Sequence, residues 1–184
     1  MPAELLTPRL RLRGWGPEDE APMAAINRDR EVTRYLNRPV DERSVEMFYG
    51  QILDHWDRHG FGPWVVEPLE GGGLVGFVGV AYPAFLPAVA HRAELGWRLA
   101  PATWGRGYAT EAAVAARDDA LGRLELPSLI SIIHPDNVRS RRVAEKLGMT
   151  VGAQVHNPVL GREVDIWETA TAQISQQPLP GRDR

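Results

Sequence analysis

The hydrophobic period of the chain switches near Gly60, and this switch limits the architecture more than any other feature of the sequence. Upstream, Val45, Phe48, Ile52, Leu53 and Trp56 recur at helical spacing behind a capping residue, Asp41 or Ser44. Downstream, Trp64-Val65-Val66, Leu74 to Val80 and Ala93 to Leu99 are short apolar runs divided by glycine and proline, which predicts three consecutive strands in an antiparallel meander. A chain of 184 residues that mixes both periods, with no internal repeat, linker or charge block, is expected to form one α+β domain over residues 1–172.

The other elements follow from the same periods. Leu10 and Leu12 alternate with Arg9, Arg11 and Arg13, so a strand with one wet face is expected between Thr7 and Trp15. Pro17 and the acids Glu18, Asp19 and Glu20 open a helix through Asn27, and a second short helix covers Asp29 to Leu36. From Gly107 to Leu124, Ala109, Ala112, Ala113, Ala116, Ala120 and Leu124 share one face, which predicts an amphipathic helix with a small-residue seam. Leu129 to Ile133 reads as a buried strand and Asn137 to Leu147 as a helix stopped by Gly148. Met149 to His156 and Arg162 to Trp167 close the order β-α-α-α-β-β-β-α-β-α-β-β. Residues 173–184, polar and carrying two prolines, are expected to form a flexible tail.

Charge and composition remove several function classes. The formal charge of −3, from 21 basic against 24 acidic residues, argues against nucleic acid as the main partner. Cysteine is absent, which excludes disulfides, thiolate metal sites and a cysteine nucleophile. The N-terminus lacks a basic region followed by an apolar run, and no eighteen apolar residues are consecutive. A soluble, cytoplasmic protein with no membrane partner is the expectation.

Two segments carry the chemistry. Trp104-Gly105-Arg106-Gly107-Tyr108-Ala109 lies between a strand ending near Leu99 and a long helix without a bulky residue at its entry. Such a turn aims unpaired N–H groups along the helix axis and suits a pyrophosphate, with Arg106 as an added donor; an ordinary glycine-rich turn is the alternative. In the second segment, His134-Pro135-Asp136-Asn137-Val138-Arg139-Ser140 leads into a helix where Ser140, Val143, Ala144 and Leu147 share the inward face. The serine hydroxyl needs a partner there, whether a substrate or the backbone of a first turn capped by Asn137.

Together these segments resemble the GCN5-related N-acetyltransferase (GNAT) family, most clearly from Glu94 to Met149. The loop continues as Thr110-Glu111-Ala112, and with the later Asn-x-x-Ser and Glu-Lys-Leu-Gly-Met it is most similar to the subgroup of ribosomal-protein alanine N-acetyltransferases. The resemblance implies a mixed, largely antiparallel sheet flanked by helices, with splayed central strands forming an acyl-CoA cleft. It implies that the backbone from Trp104 to Ala109, with Thr110, cradles the pyrophosphate of acetyl-CoA. The strand through Leu95, Gly96, Trp97, Arg98 and Leu99 would bond the pantetheine as a neighbouring strand would, Asn137 would face the pantetheine or the acetyl end, and Ser140 would lie near the thioester sulfur. Two positions depart from the family pattern: Trp104 stands at the usual Arg or Gln, and Ala144 where many relatives carry a tyrosine acid.

Acetyl transfer to an amine needs a base, an oxyanion donor and a proton for the thiolate. Glu94 is the candidate base, against a reading as a solvated edge carboxylate. A backbone N–H near Trp97 is the candidate donor, and Ser140 the candidate for the proton or a water that carries it. The acceptor, a peptide N-terminus or small-molecule amine, is expected opposite CoA, near Tyr35, Trp64, Tyr82, Phe85 and His91. Arg139, Arg141 and Arg142 either meet the CoA 3′-phosphate or form a solvated face. Ala144 keeps open a non-catalytic acyl-CoA sensor and transfer of a longer acyl group. A symmetric homodimer is compatible with the sequence.

Other patterns lack the required context. Gly71-Gly72-Gly73-Leu74-Val75-Gly76 spells a dinucleotide signature but precedes a strand rather than a helix, so a hairpin turn is expected. His55 and His59 stand one helical turn apart without a third ligand, so no metal is expected; His91 and His134 lie near the presumed cleft.

Overall fold

The computed structural model describes residues 4–36 and 41–170. Its first elements are a short hairpin of β1 (Leu5–Leu6) with β2 (Leu10–Arg13), then α1 (Glu20–Arg28), α2 (Arg30–Thr33) and α3 (Glu42–His59). Leu10 and Leu12 are fully buried while Arg11 and Arg13 are only half-buried, as the alternation requires, but Thr7 lies in the turn rather than in the strand. Asp41 caps α3 in a reciprocal box with Ser44, and Gly60 ends it at φ +70°, a conformation that favours glycine.

The meander follows as β3 (Pro63–Pro68), β4 (Gly76–Ala81) and β5 (Glu94–Leu99), antiparallel throughout. Gly71, Gly72 and Gly73 all have positive φ in the exposed turn between β3 and β4, so the dinucleotide-like pattern is a hairpin. The chain then alternates α4 (Tyr108–Gly122), β6 (Ile130–Ile133) and α5 (Val138–Lys146) before β7 (Thr150–Asn157) and β8 (Arg162–Glu168). The eight strands lie in the order β1-β2-β3-β4-β5-β6-β8-β7, a mixed α+β architecture with a mostly antiparallel sheet. The expected tail at 173–184 lies outside the described residues.

One break in this sheet creates the site. β5 and β6 run parallel and share a single register pair, Glu94 with Ile130, whereas β4 and β5 pair along their full length. At the next residue the ladder is replaced by a side chain, the buried Ser131 hydroxyl donating to the Leu95 carbonyl at 2.6 Å. α4 packs against one face through Ala112, Ala113, Ala116 and Ala120, all buried, because only small side chains let a helix lie so close to a sheet. On the opposite face α1 and α3 bury Met23, Ile26, Phe48 and Ile52 against Phe77. No helix among the described residues is long and apolar enough to cross a membrane.

Candidate active site

A cleft of about 1390 Å³ opens where β5 and β6 part, lined by Glu94 to Leu99, by Ser131 to His134 and by residues of α2, α3, α4 and α5. Strand geometry decides which groups of β5 reach it. Backbone groups of alternate residues point to opposite edges. The carbonyls of Ala93, Leu95 and Leu99 accept from Ile130 N–H, Ser131 Oγ and Trp104 Nε1, so the odd residues face β6. Trp97 therefore turns its N–H and carbonyl to the opening, while Gly96 and Arg98 turn theirs to β4.

Side chains of β5 divide the other way. Leu95 and Leu99 are buried on the α4 face, and Trp97 packs against the same cluster. Arg98 lies on the α1–α3 face, where it bonds Asn27 Oδ1 at 2.5 Å and stacks over Phe48 and Phe77. Glu94 shares that face by parity, is half-buried and lines the cleft. A carboxylate thus stands on the side away from α4.

The glycine loop closes the other end. Gly105 and Gly107 have φ of +78° and +82°, and Gly107 is the N-cap of α4 without a side-chain cap. The first N–H groups of α4 consequently have neither a helical partner nor a capping side chain, at the positive end of a 15-residue helix. Trp104, Gly105, Gly107, Tyr108, Ala109 and Thr110 line the cleft, whereas Arg106 is exposed outside it. Trp104 is fixed by its bond to Leu99 and carries the Arg139 guanidinium over its ring at 4.5 Å.

From α5, Asn137 caps the helix, its Oδ1 accepting from Ser140 N–H at 3.1 Å. Ser140 is half-buried, lines the cleft and makes no side-chain hydrogen bond among the described residues. Arg139, Arg142 and Lys146, spaced i, i+3 and i+7, line the cleft on one stripe of the helix. Arg141 does not join them. It bonds the Pro135 carbonyl and stacks over Trp167, as a residue turned to the other side of α5 must. Ala144 is fully buried in the core and does not line the cleft.

Of the expected acceptor residues, Tyr35, Tyr82 and Phe85 line the cleft. Trp64 and His91 do not: Trp64 is buried edge-on against Trp56, and His91 is exposed beyond the cleft. His55 is committed on both nitrogens, Nδ1 to the Phe61 carbonyl and Nε2 accepting from Tyr82 N–H. That pattern requires a neutral ring, and burial lowers its pKa accordingly; with both nitrogens already hydrogen-bonded, neither is open to a metal. His134 stacks on Tyr35 and accepts from Asp136 N–H at Nδ1, and burial together with Arg162 lowers its pKa. Sequence reasoning missed Ser131 and Lys146. Helical spacing from Arg139 was a usable signal for Lys146; no local pattern marks Ser131.

Comparison with known proteins gives an independent view. The family model described as the acetyltransferase (GNAT) domain matches residues 9–150. The Bacillus subtilis protein YkkB is 29% identical over 147 residues, covering 79% of this chain and 84% of that one. An acetyltransferase from Agrobacterium tumefaciens superimposes with a TM-score of 0.81 at 29% identity, over 93% of this chain and 96% of that one. A spermidine N-acetyltransferase from Vibrio cholerae, solved with CoA and spermine, shares the fold with a TM-score of 0.69 at 20% identity, over 88% and 94% of the two chains.

Proposed function

The chain belongs to the GNAT acetyltransferase family, and on that premise we propose that it transfers the acetyl group of acetyl-CoA directly to a primary amine, on a peptide N-terminus or a small molecule, in the cytoplasm. The observation that carries this reading is the meeting, in one cleft, of an open α4 N-terminus, an unpaired β5 edge at Trp97 and the Ser140 hydroxyl. The CoA and spermine in the Vibrio cholerae spermidine enzyme support a cofactor and an amine of these classes.

The residues fit such a co-substrate. N–H groups from Gly107 to Thr110 suit a pyrophosphate, and the cationic stripe of Arg139, Arg142 and Lys146 suits the remaining phosphate. Trp97 offers its backbone pair to the amide-bearing arm and its N–H to the acetyl oxygen, stabilising negative charge as it develops. An alkyl ammonium has a pKa of roughly 10, so it must lose a proton before it attacks. Glu94, on the face opposite α4, receives that proton directly or through water. The new C–N bond forms as the C–S bond breaks, and Ser140 passes a proton to the departing sulfur or holds the water that does. The proposal involves no acetyl-enzyme, because the chain has no cysteine and the Ser140 hydroxyl makes no hydrogen bond to a base among the described residues.

Release of free CoA thiol, followed with a thiol reagent in the presence of peptides, polyamines, amino acids and aminoglycosides, tests the proposal. The absence of cysteine makes the protein silent in the assay. Amine-dependent release is expected. Tight CoA binding with no release across the panel would favour an acyl-CoA sensor.

A further inference from the structure

The turn between β1 and β2 reaches the glycine loop from behind, through contacts that span 97 to 104 residues of sequence. Glu111, one turn into α4, accepts from Thr7 Oγ1 at 2.6 Å, from Arg9 N–H at 2.9 Å and from Arg9 Nε at 2.7 Å, with Arg9 Nη2 at 2.6 Å. The other arm of the same guanidinium, Nη1, donates to the Arg106 carbonyl at 2.9 Å, and the group lies over the Tyr108 ring at 5.0 Å. A Cβ built on Gly107 would stand 3.3 Å from Arg9 Nη2. Neither Arg9 nor Arg106 lines the cleft, although Gly105, Gly107 and Tyr108 do.

This geometry has a directional consequence. In a trans peptide the carbonyl of one residue and the N–H of the next point to opposite sides. Holding the Arg106 carbonyl back toward Arg9 turns the Gly107 N–H forward, to the side on which Gly107 meets the cleft. Glycine at φ +82° would otherwise leave that peptide free to rotate. We propose that Arg9 and Glu111 are positioning residues for acyl-CoA: a staple that presets the phosphate-binding N–H groups of the loop without touching the ligand. The Glu111 carboxyl remains charged in this role; burial pushes its pKa up, but the bonds from Thr7 and Arg9 outweigh burial and hold it below the usual range.

The inference rests on the assignment of the loop to CoA, and the experiment separates the two. CoA is titrated calorimetrically into the wild type, Arg9→Met, the Arg9→Met/Glu111→Gln double variant and Gly107→Val, with thermal midpoints recorded for each. Arg9→Met is expected to weaken CoA binding about tenfold. The double variant, which leaves no half-buried carboxylate without its guanidinium, is expected to bind as weakly with its midpoint restored toward wild type. In turnover, KM for acetyl-CoA should rise while kcat and the rate with S-acetylpantetheine, which lacks the phosphates, stay within about twofold. CoA affinity within twofold of wild type in both Arg9 variants overturns the staple, as does an equal loss with S-acetylpantetheine, which marks a merely structural role. Unaltered CoA binding by Gly107→Val overturns instead the assignment of the loop.

Discussion

Asn137 and Ser140 show how one residue pair can satisfy the backbone and still line a cleft. The Asn137 carbonyl oxygen is spent on capping, as its place before a helix predicts, yet the cap also fixes where Ser140 enters the first turn. The serine backbone is thereby satisfied through its N–H, and the hydroxyl is left to the cleft. If that hydroxyl acts on the departing sulfur, Ser140→Ala should lower kcat about tenfold or more while CoA affinity changes less than twofold, because the lost interaction forms only as the C–S bond breaks. Steady-state kinetics beside calorimetry checks this, and an unchanged kcat would reject the role. His55 is the contrasting case. Its spacing from His59 lacks a third ligand, and the ring is consumed by the Phe61 carbonyl and Tyr82 N–H and ties the end of α3 to the turn after β4.

At the scale of elements, the β5 wall of the cleft is held by its close approach to β4. Gly76 sits opposite Leu99 with φ +143°, and a Cβ there would lie 2.1 Å from the Arg98 carbonyl oxygen. Gly76→Ala is therefore expected to destabilise the protein by about 3 kcal/mol, or roughly 6–12 °C in thermal midpoint. A midpoint within 2 °C of wild type in calorimetric scans would contradict that packing. Helices and strands of this kind were legible because each has a period and a stop: Asp41 and Gly60 bound α3, and Gly148 follows α5 at φ +74°. The alanine seam of α4 and the loop of Gly105 and Gly107 were legible for the same reason. Pairings between distant segments were not. Nothing near Glu111 announces Thr7 or Arg9, and nothing in Ile130 to Ile133 says that its ladder with β5 ends after one pair. β1, two residues long, falls below any periodic signal. The likeness to a family supplied the expected splay and the role proposed for the loop, but whether a residue such as Trp64 lines the cleft is decided by packing, which puts it in the core.

Across the whole molecule, the protonation state of two histidines couples the Tyr35 and Tyr82 side of the cleft to stability. His55 is held neutral first by burial and then by nearby His59, against opposing contributions from Phe61 and Asp54. His134 is held neutral by burial and Arg162, against Asp136 and Asp165. Both folded-state pKa values lie below that of an unfolded histidine, roughly 6.5. The unfolded chain therefore binds more protons in the window beneath that pH, so the stabilisation is complete above it and is lost as pH falls toward the folded values. Paired carboxylates, Glu67 and Glu111 among them, add a second loss below about pH 4.5, since their folded pKa values are also depressed. The thermal midpoint is expected to fall between pH 7 and pH 5, with a slope of at most about 1.4 kcal/mol per pH unit from each histidine. His55→Gln, although less stable at pH 7, should show a shallower decline over the same range. A flat profile from pH 7 to 5 in the wild type would mean that these rings are protonated as easily in the folded protein as in the open chain, and the neutral bridge from α3 to Tyr82 would have to be redrawn.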